Sequence, residues 1–303
     1  MLGTAEIIRL ALTDRLKPIH YVSTLAVLGR LGPEMTEEES PIHRRAGWPM
    51  SSGSGYAEGY GASKWAGEVL LYDLHQSLGV PVNVFRCSMI LPHTRYRGQL
   101  NVPDIFTRLL ISLVQTGLAP GSFYERRNAE PAHYDGLPVD FISRSILAIA
   151  REPKGTGYAT YHVSNSHWDD EISLDTFVDW ILSAGYSLKR IPDYGRWYKE
   201  FARRLQGLEE SKREHSSLPV LRQLRTPAPV GKKAKINAQR FRQKVQSFLG
   251  TDIPHLTEEF LHKCLSDLQA LRLISPPGSS AQPQLERTEE DLTTQALRPS
   301  FAR

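Results

Sequence analysis

The order strand, loop, helix, strand between residues 20 and 86 constrains the fold of this chain more than any other feature. Residues 20–24 (His-Tyr-Val-Ser-Thr) are a short β-rich run that ends in two hydroxyls. Residues 62–78 place Trp65, Val69, Leu70 and Leu74 in a stripe at helical spacing, which predicts an amphipathic helix. Residues 82–86 (Val-Asn-Val-Phe-Arg) supply the next buried strand. A helix that crosses between two strands makes them parallel, so this order predicts one side of a doubly wound α/β sheet.

Tyr60 and Lys64 stand four apart at the start of that helix, and no other tyrosine has lysine at the fourth following position. A phenol is a poor acid at neutral pH, with a reference pKa of about 10. An ammonium one turn along the helix stabilises the phenolate by Coulomb attraction. The same Lys64 can hold the ribose hydroxyls of a nicotinamide cofactor, while Thr24 offers a hydroxyl to an oxygen on which negative charge develops. A bare Y-x-x-x-K is a weak signal on its own. Here its flanks are the strand, loop and helix that hydride-transfer chemistry needs.

Several blocks carry a resemblance to a known family: Leu2-Gly3-Thr4-Ala5-Glu6, Tyr21-Val22-Ser23-Thr24, Tyr60-Gly61-Ala62-Ser63-Lys64-Trp65-Ala66-Gly67-Glu68 and Phe85-Arg86. It continues through Gly98-Gln99-Leu100-Asn101-Val102-Pro103-Asp104, the run from His133 to Phe141 and His215-Ser216-Ser217-Leu218-Pro219. From Leu2 to about Leu273 the chain resembles the extended short-chain dehydrogenase/reductases, and within them the thioester reductase domains of carboxylic acid reductases and nonribosomal peptide synthetases. The resemblance implies NADPH as cofactor, a phosphopantetheine-linked acyl substrate, an acyl or peptidyl carrier domain as partner, and Thr24, Tyr60 and Lys64 as catalytic residues. It also puts the loop after Arg86, with Cys87, Ser88, Met89 and Ile90, beside the nicotinamide. Carboxylic acid reductases commonly have Asp where this chain has Ser88, a departure that touches control over whether reduction stops at the aldehyde.

No G-x-G-x-x-G occurs in the 303 residues, although a dinucleotide fold normally opens with a glycine-rich turn that presents helix amides to the pyrophosphate. Gly53, Gly55, Gly59 and Gly61 are dense, but no strand leads into them, so they read as a loop before the helix. The expected architecture is therefore a partial, Rossmann-like doubly wound sheet, its C-terminal half, with a mainly helical C-terminal substrate or carrier subdomain. One edge or face of that sheet is expected to be exposed. Two alternatives stay open: an extended dehydrogenase, epimerase or dehydratase acting on a free small molecule, and a non-catalytic fragment.

Along the chain, residues 1–100 are read as the sheet with the catalytic Thr/Tyr/Lys, 101–274 as the substrate and carrier part, and 275–303 as a disordered tail rich in Pro, Gly and Ser at its start. Helices are expected over 4–13, 103–116 (with Pro103 near its N-terminus), 139–150, 174–184, 194–205, 237–248 and 258–273, and a strand over 158–163 returns to the sheet. Residues 32–59, with Glu34, Glu37, Glu38 and Glu39, read as a mobile excursion over the site.

Charged residues make up 23% of the chain and hydrophobic ones 40%, ordinary globular material, and no apolar run reaches the length of a membrane span. Two cysteines, Cys87 and Cys264, give no disulfide framework, so a reducing, cytoplasmic setting is expected. Cys87 reads as a small buried residue rather than a nucleophile. His133, His162 and His167 are candidates for substrate contact but lack metal-ligand spacing, so no metal site is expected. The net charge of +4 is concentrated in the helical C-terminal part, from Arg203 to Lys244. A solvated face and a docking surface for an acidic carrier domain explain it equally well, whereas the aromatic interleaving of a nucleic-acid surface is missing.

Overall fold

The computed structural model describes residues 2–28, 38, 58–125, 131–152, 157–230 and 236–279. At its centre lies a three-stranded parallel sheet in the order β1 (Ile19–Thr24), β2 (Val82–Cys87), β6 (Tyr158–Val163). The register is continuous, from Ile19 beside Val82 beside Tyr158 to Thr24 beside Cys87 beside Val163. Side chains alternate across it, so each face has its own core. On one face Ile19, Val82 and Val84 pack with Ala11 of α1 (Leu2–Leu12) and with Leu71 and Leu74 of α2 (Glu58–Leu78). On the other, Phe85, Cys87, Tyr161 and Val163 pack with Ile142 and Ile149 of α4 (Val139–Ala150) and with Phe241 and Val245 of α8 (Gln239–Leu249). Burial on both faces is what makes β2 read as a nearly unbroken apolar run.

The predicted elements at 20–24, 62–78, 82–86, 139–150 and 158–163 are present, and the parallel sheet with flanking helices is the α/β class expected. α2 sits differently from the predicted stripe. Its buried line runs through Gly67, Glu68, Leu71 and Leu74, while Leu70 is exposed and Trp65 and Val69 are half-buried against Val27 and Leu28. An ion pair and a glycine lie at the seam, and neither registers in an apolar count. α3 (Ile105–Thr116) starts after Pro103, because the Asp104 carboxylate accepts the Phe106 amide hydrogen at 2.8 Å and caps the helix.

The remaining core is helical and is the largest: Phe106, Leu110 and Leu113 of α3 meet Phe177 and Ile181 of α5 (Leu174–Ser183), Trp197 and Phe201 of α6 (Tyr194–Gln206) and Leu261 and Leu265 of α9 (Glu258–Ala270). Two short parallel pairs, β3 (Ile90–Leu91) with β5 (Leu137–Pro138) and β4 (Leu118–Pro120) with β7 (Lys189–Ile191), tie this part together. They are two or three residues long, too short for alternation to reveal. α7 (Glu210–Glu214) and a 3₁₀ segment (Leu218–Leu224) follow α6. Arg108 of α3 holds this stretch through Nη1, which donates to the Glu214 carbonyl at 2.6 Å and the Ser216 carbonyl at 2.7 Å.

Among the described residues β1 is the edge of the sheet, and Val22 is exposed there, as are Leu2, Ile7 and Leu10 of α1. Glu38, read as part of an excursion over the site, lies instead against the sheet's other edge. It is buried, and its carboxylate accepts the amide hydrogens of His162, Arg240 and Phe241 at 2.9, 2.6 and 3.1 Å. A carboxylate at the start of α8 answers the free amides and positive dipole end of that helix. The rest of the excursion up to residue 57, Gly53 and Gly55 included, and residues 280–303 of the tail lie outside the described residues, whereas Gly59 and Gly61, read as loop, lie in the first turn of α2, which begins at Glu58. Among the described residues no helix is long and apolar enough to cross a membrane.

Candidate active site

A cavity of about 1010 Å³ opens at the C-terminal ends of β1 and β2, where parallel α/β sheets place their sites. The six residues singled out from sequence, Thr24, Tyr60, Lys64, Cys87, Ser88 and Ile90, all line it. Thr24 ends β1, and its Oγ1 accepts the Ala26 amide hydrogen at 3.2 Å, capping the short 3₁₀ turn Leu25–Val27. Tyr60, in the first turn of α2, is 53% exposed, so its ring is accessible from the solvent side.

Lys64 is held from two sides. Its Nζ donates to the Val22 carbonyl at 2.8 Å and lies 5.0 Å from the centre of the Tyr21 ring, a cation–π contact. Burial, and after it the Glu68 carboxylate, push the Tyr21 phenol above its ordinary pKa, so that ring stays neutral beneath the ammonium. The ring reaches its place because residue 67 is glycine: a Cβ there would stand 2.4 Å from the Tyr21 Oη.

Across the wall, burial pushes the Cys87 thiol up to about 12, which removes it as a nucleophile at neutral pH. The Ser88 hydroxyl lies 2.6 Å from the Asp135 carbonyl and 3.2 Å from that of Val163, so its proton bonds within the fold and the side chain joins β2, β6 and the loop before β5. From the helical part, Leu100, Asn101, Asp104, Val220 and Gln223 complete the lining.

The three histidines do not reach the cavity. His133 Nε2 donates to the Asn165 carbonyl, His167 Nε2 to that of Ile253, and His162 is buried between strand and helix. Burial, then the Arg86 charge, lower the His162 pKa to about 3, so the ring is neutral, with Nδ1 donating to the Asn237 carbonyl and Nε2 accepting from Arg86 Nη1. No group of acidic, histidine or cysteine side chains among the described residues is arranged to hold a metal ion.

One feature of the site escaped the local reading. Glu68, one turn beyond Lys64 on α2, is fully buried and pairs with the fully buried Arg86 of β2; Nη2 lies 2.8 Å from Oε2. Ser23, next to Thr24, donates its hydroxyl to Glu68 Oε1 at 2.5 Å. The available signal was an arginine in a strand whose other residues, Val84, Phe85 and Cys87, are interior ones, which requires a buried acid nearby.

A parallel sheet with helices on both faces and a cavity at its strand ends is the α/β architecture of the short-chain dehydrogenase/reductase type. The NAD-binding family described as Male sterility protein matches residues 1–146. Over 90% of its length the chain is 44% identical to a carboxylic acid reductase of Segniliparus rugosus, of which it spans 23%. Over the same share it is 42% identical to an isonitrile lipopeptide synthase of Mycobacterium tuberculosis, of which it spans 11%. The crystal structure of a nonribosomal peptide synthetase reductase domain from M. tuberculosis superimposes with a TM-score of 0.82 at 42% identity, covering 90% of this chain and 65% of that one. The chain belongs to the reductase-domain family that carboxylic acid reductases and nonribosomal peptide synthetases share.

Proposed function

We propose that this chain carries the catalytic site for NADPH-dependent reduction of a carrier-bound acyl thioester to an aldehyde. The observation that carries the reading is the convergence of Thr24, Tyr60 and Lys64 on one cavity whose far wall comes from the helical part.

The residues present suit the nicotinamide riboside end of the cofactor. Lys64 Nζ, donating once to Val22, has two further N–H groups for ribose hydroxyls, and Cys87, Ser88 and Ile90 form a wall at the strand ends. A reduced nicotinamide supplies hydride when bound. The chain's own residues handle the oxygen: the Thr24 hydroxyl donates to it as charge builds, and Tyr60 delivers its proton. Lys64, one turn along, is the positive charge opposite the phenolate left behind. The resulting hemithioacetal gives up its hydroxyl proton as the carbonyl re-forms and the C–S bond breaks, releasing protonated thiol and aldehyde.

The partner in this reading is an acyl or peptidyl carrier domain. Arg222 and Arg225 are exposed on and just after the 3₁₀ segment that brings Val220 and Gln223 to the cavity, where a phosphopantetheine phosphate or an acidic carrier surface would meet positive charge. Elsewhere several basic residues are neutralised locally: Arg203 and Arg204 both bond Glu200, and Arg242 pairs with Asp252. Two buried free cysteines fit a reducing cytoplasm. A second reading, a cavity kept without turnover, draws support from the lack of a G-x-G-x-x-G turn in the sequence.

The test is NADPH consumption by the full chain with a carrier-loaded acyl thioester, and with a free carbonyl compound as comparison. Wild type should act on the thioester, and Tyr60→Phe should lower the rate by about 10² or more. A Tyr60→Phe rate equal to wild type removes the assignment; activity on the free carbonyl alone favours a small-molecule reductase.

A further inference from the structure

We propose that the buried Glu68–Arg86 ion pair, with the Ser23 hydroxyl, is the positioning element of this site: it fixes where α2 sits on β1 and thereby where Lys64 and Tyr60 stand. The inference rests on reading Tyr60 and Lys64 as the working pair.

Three side chains of α2 at successive helical turns, Tyr60, Lys64 and Glu68, lie along one line of the helix. The last two are attached to consecutive residues of β1, Lys64 to the Val22 carbonyl at 2.8 Å and Glu68 to the Ser23 hydroxyl at 2.5 Å. Thr24 is the next residue of the strand. Arg86 extends the attachment across the sheet, because Ser23, Arg86 and His162 occupy one register position on three adjacent strands. Its Nε and Nη2 both bond the Glu68 carboxylate and its Nη1 donates to His162, whose ring is anchored in turn to Asn237. Between the two attachments Gly67 admits the Tyr21 ring on which Lys64 rests.

Stability alone does not call for this pair. Replacing a buried ion pair by well-packed apolar residues is often neutral for folding, whereas bidentate geometry restricts how two elements sit. An apolar seam would let α2 slide along or roll on the sheet at little cost. A guanidinium fork against a carboxylate does not, and any slide of α2 moves Lys64 off the Val22 carbonyl.

The test is differential lysine acylation read by mass spectrometry on the full chain. Glu68→Gln alone strands a buried guanidinium and therefore tests folding. The informative variant is Glu68→Met combined with Arg86→Leu, which removes both charges together and keeps the seam filled. Lys263, which donates to the His93 and Tyr96 carbonyls, and Lys244, paired with Glu152, serve as internal references. The expected result is a variant that unfolds cooperatively and labels Lys64 several-fold faster than wild type, with Lys263 and Lys244 unchanged. Unchanged Lys64 labelling in a folded variant overturns the proposal. A parallel rise at all three lysines also overturns it, since the pair would then serve general stability. No turnover is measured, so this test fails or succeeds separately from that of the reductase reading.

Discussion

His162 should make the protein acid-sensitive well above the pH at which carboxylates protonate. Its ring is fully buried, with one nitrogen donating to Asn237 at 2.8 Å and the other accepting from Arg86 at 3.3 Å. Both nitrogens are thus committed to the neutral tautomer, and the facing charges are Arg86 with its partner Glu68, and Arg240 near the same strand. In the folded chain the pKa is lowered to about 3, against an ordinary value of 6.5. Between those values the unfolded chain binds a proton that the native chain refuses, so stability falls as pH drops through this window. The full slope is about 1.4 kcal/mol per pH unit, and going from about pH 7 to about pH 5 removes about 2 kcal/mol. Urea unfolding followed by circular dichroism at the two pH values, at constant ionic strength, gives the loss directly. His162→Gln, which can still accept from Arg86, should lose about 2 kcal/mol less than wild type over the same interval. Equal losses in the two proteins would refute the buried neutral imidazole.

Two further outcomes follow from the packing of the site. Gly67→Ala drives a methyl to within 2.4 Å of the Tyr21 Oη. Overpacking costs about 1–3 kcal/mol, while alanine returns about 1 kcal/mol of helix propensity, so stability should fall by less than about 2 kcal/mol while NADPH affinity falls sharply; unaltered affinity would separate Tyr21 from the placing of Lys64. Cys87 and Cys264 are buried, and burial raises both thiols to about 12. At about pH 8 a disulfide reagent should therefore label neither in the native chain and both in denaturant, and rapid native labelling of Cys87 would restore it as a reactive group.

What could be read in advance was what depends on neighbours in sequence. The β-rich run ending at Thr24, the Tyr60/Lys64 spacing and the strand over 158–163 are periodic or local signals, and α4 and β6 occupy the residues expected of them. Asp104 rather than Pro103 sets the start of α3, because a carboxylate that caps free amides outranks a residue that merely tolerates the position. The seam of α2 was illegible for a different reason. Glu68 and Arg86 are 18 residues apart and Ser23 and Glu68 are 45 apart, and such pairing is defined only after the sheet has brought β1 and β2 side by side. Glu38 escaped for the same reason, being 124 residues from the His162 amide it bonds. His133 and His167 looked available for substrate and are instead bonded to the Asn165 and Ile253 carbonyls.

If Thr24, Tyr60 and Lys64 form a working nicotinamide site, the full chain binds NADPH and Lys64 is needed for it. Fluorescence titration with NADPH, of wild type beside Lys64→Ala, decides this. Saturable binding that is lost or greatly weakened in Lys64→Ala, with both proteins showing the same unfolding transition, is the predicted result. Absence of binding by the folded wild-type chain, or equal binding by Lys64→Ala, would contradict it.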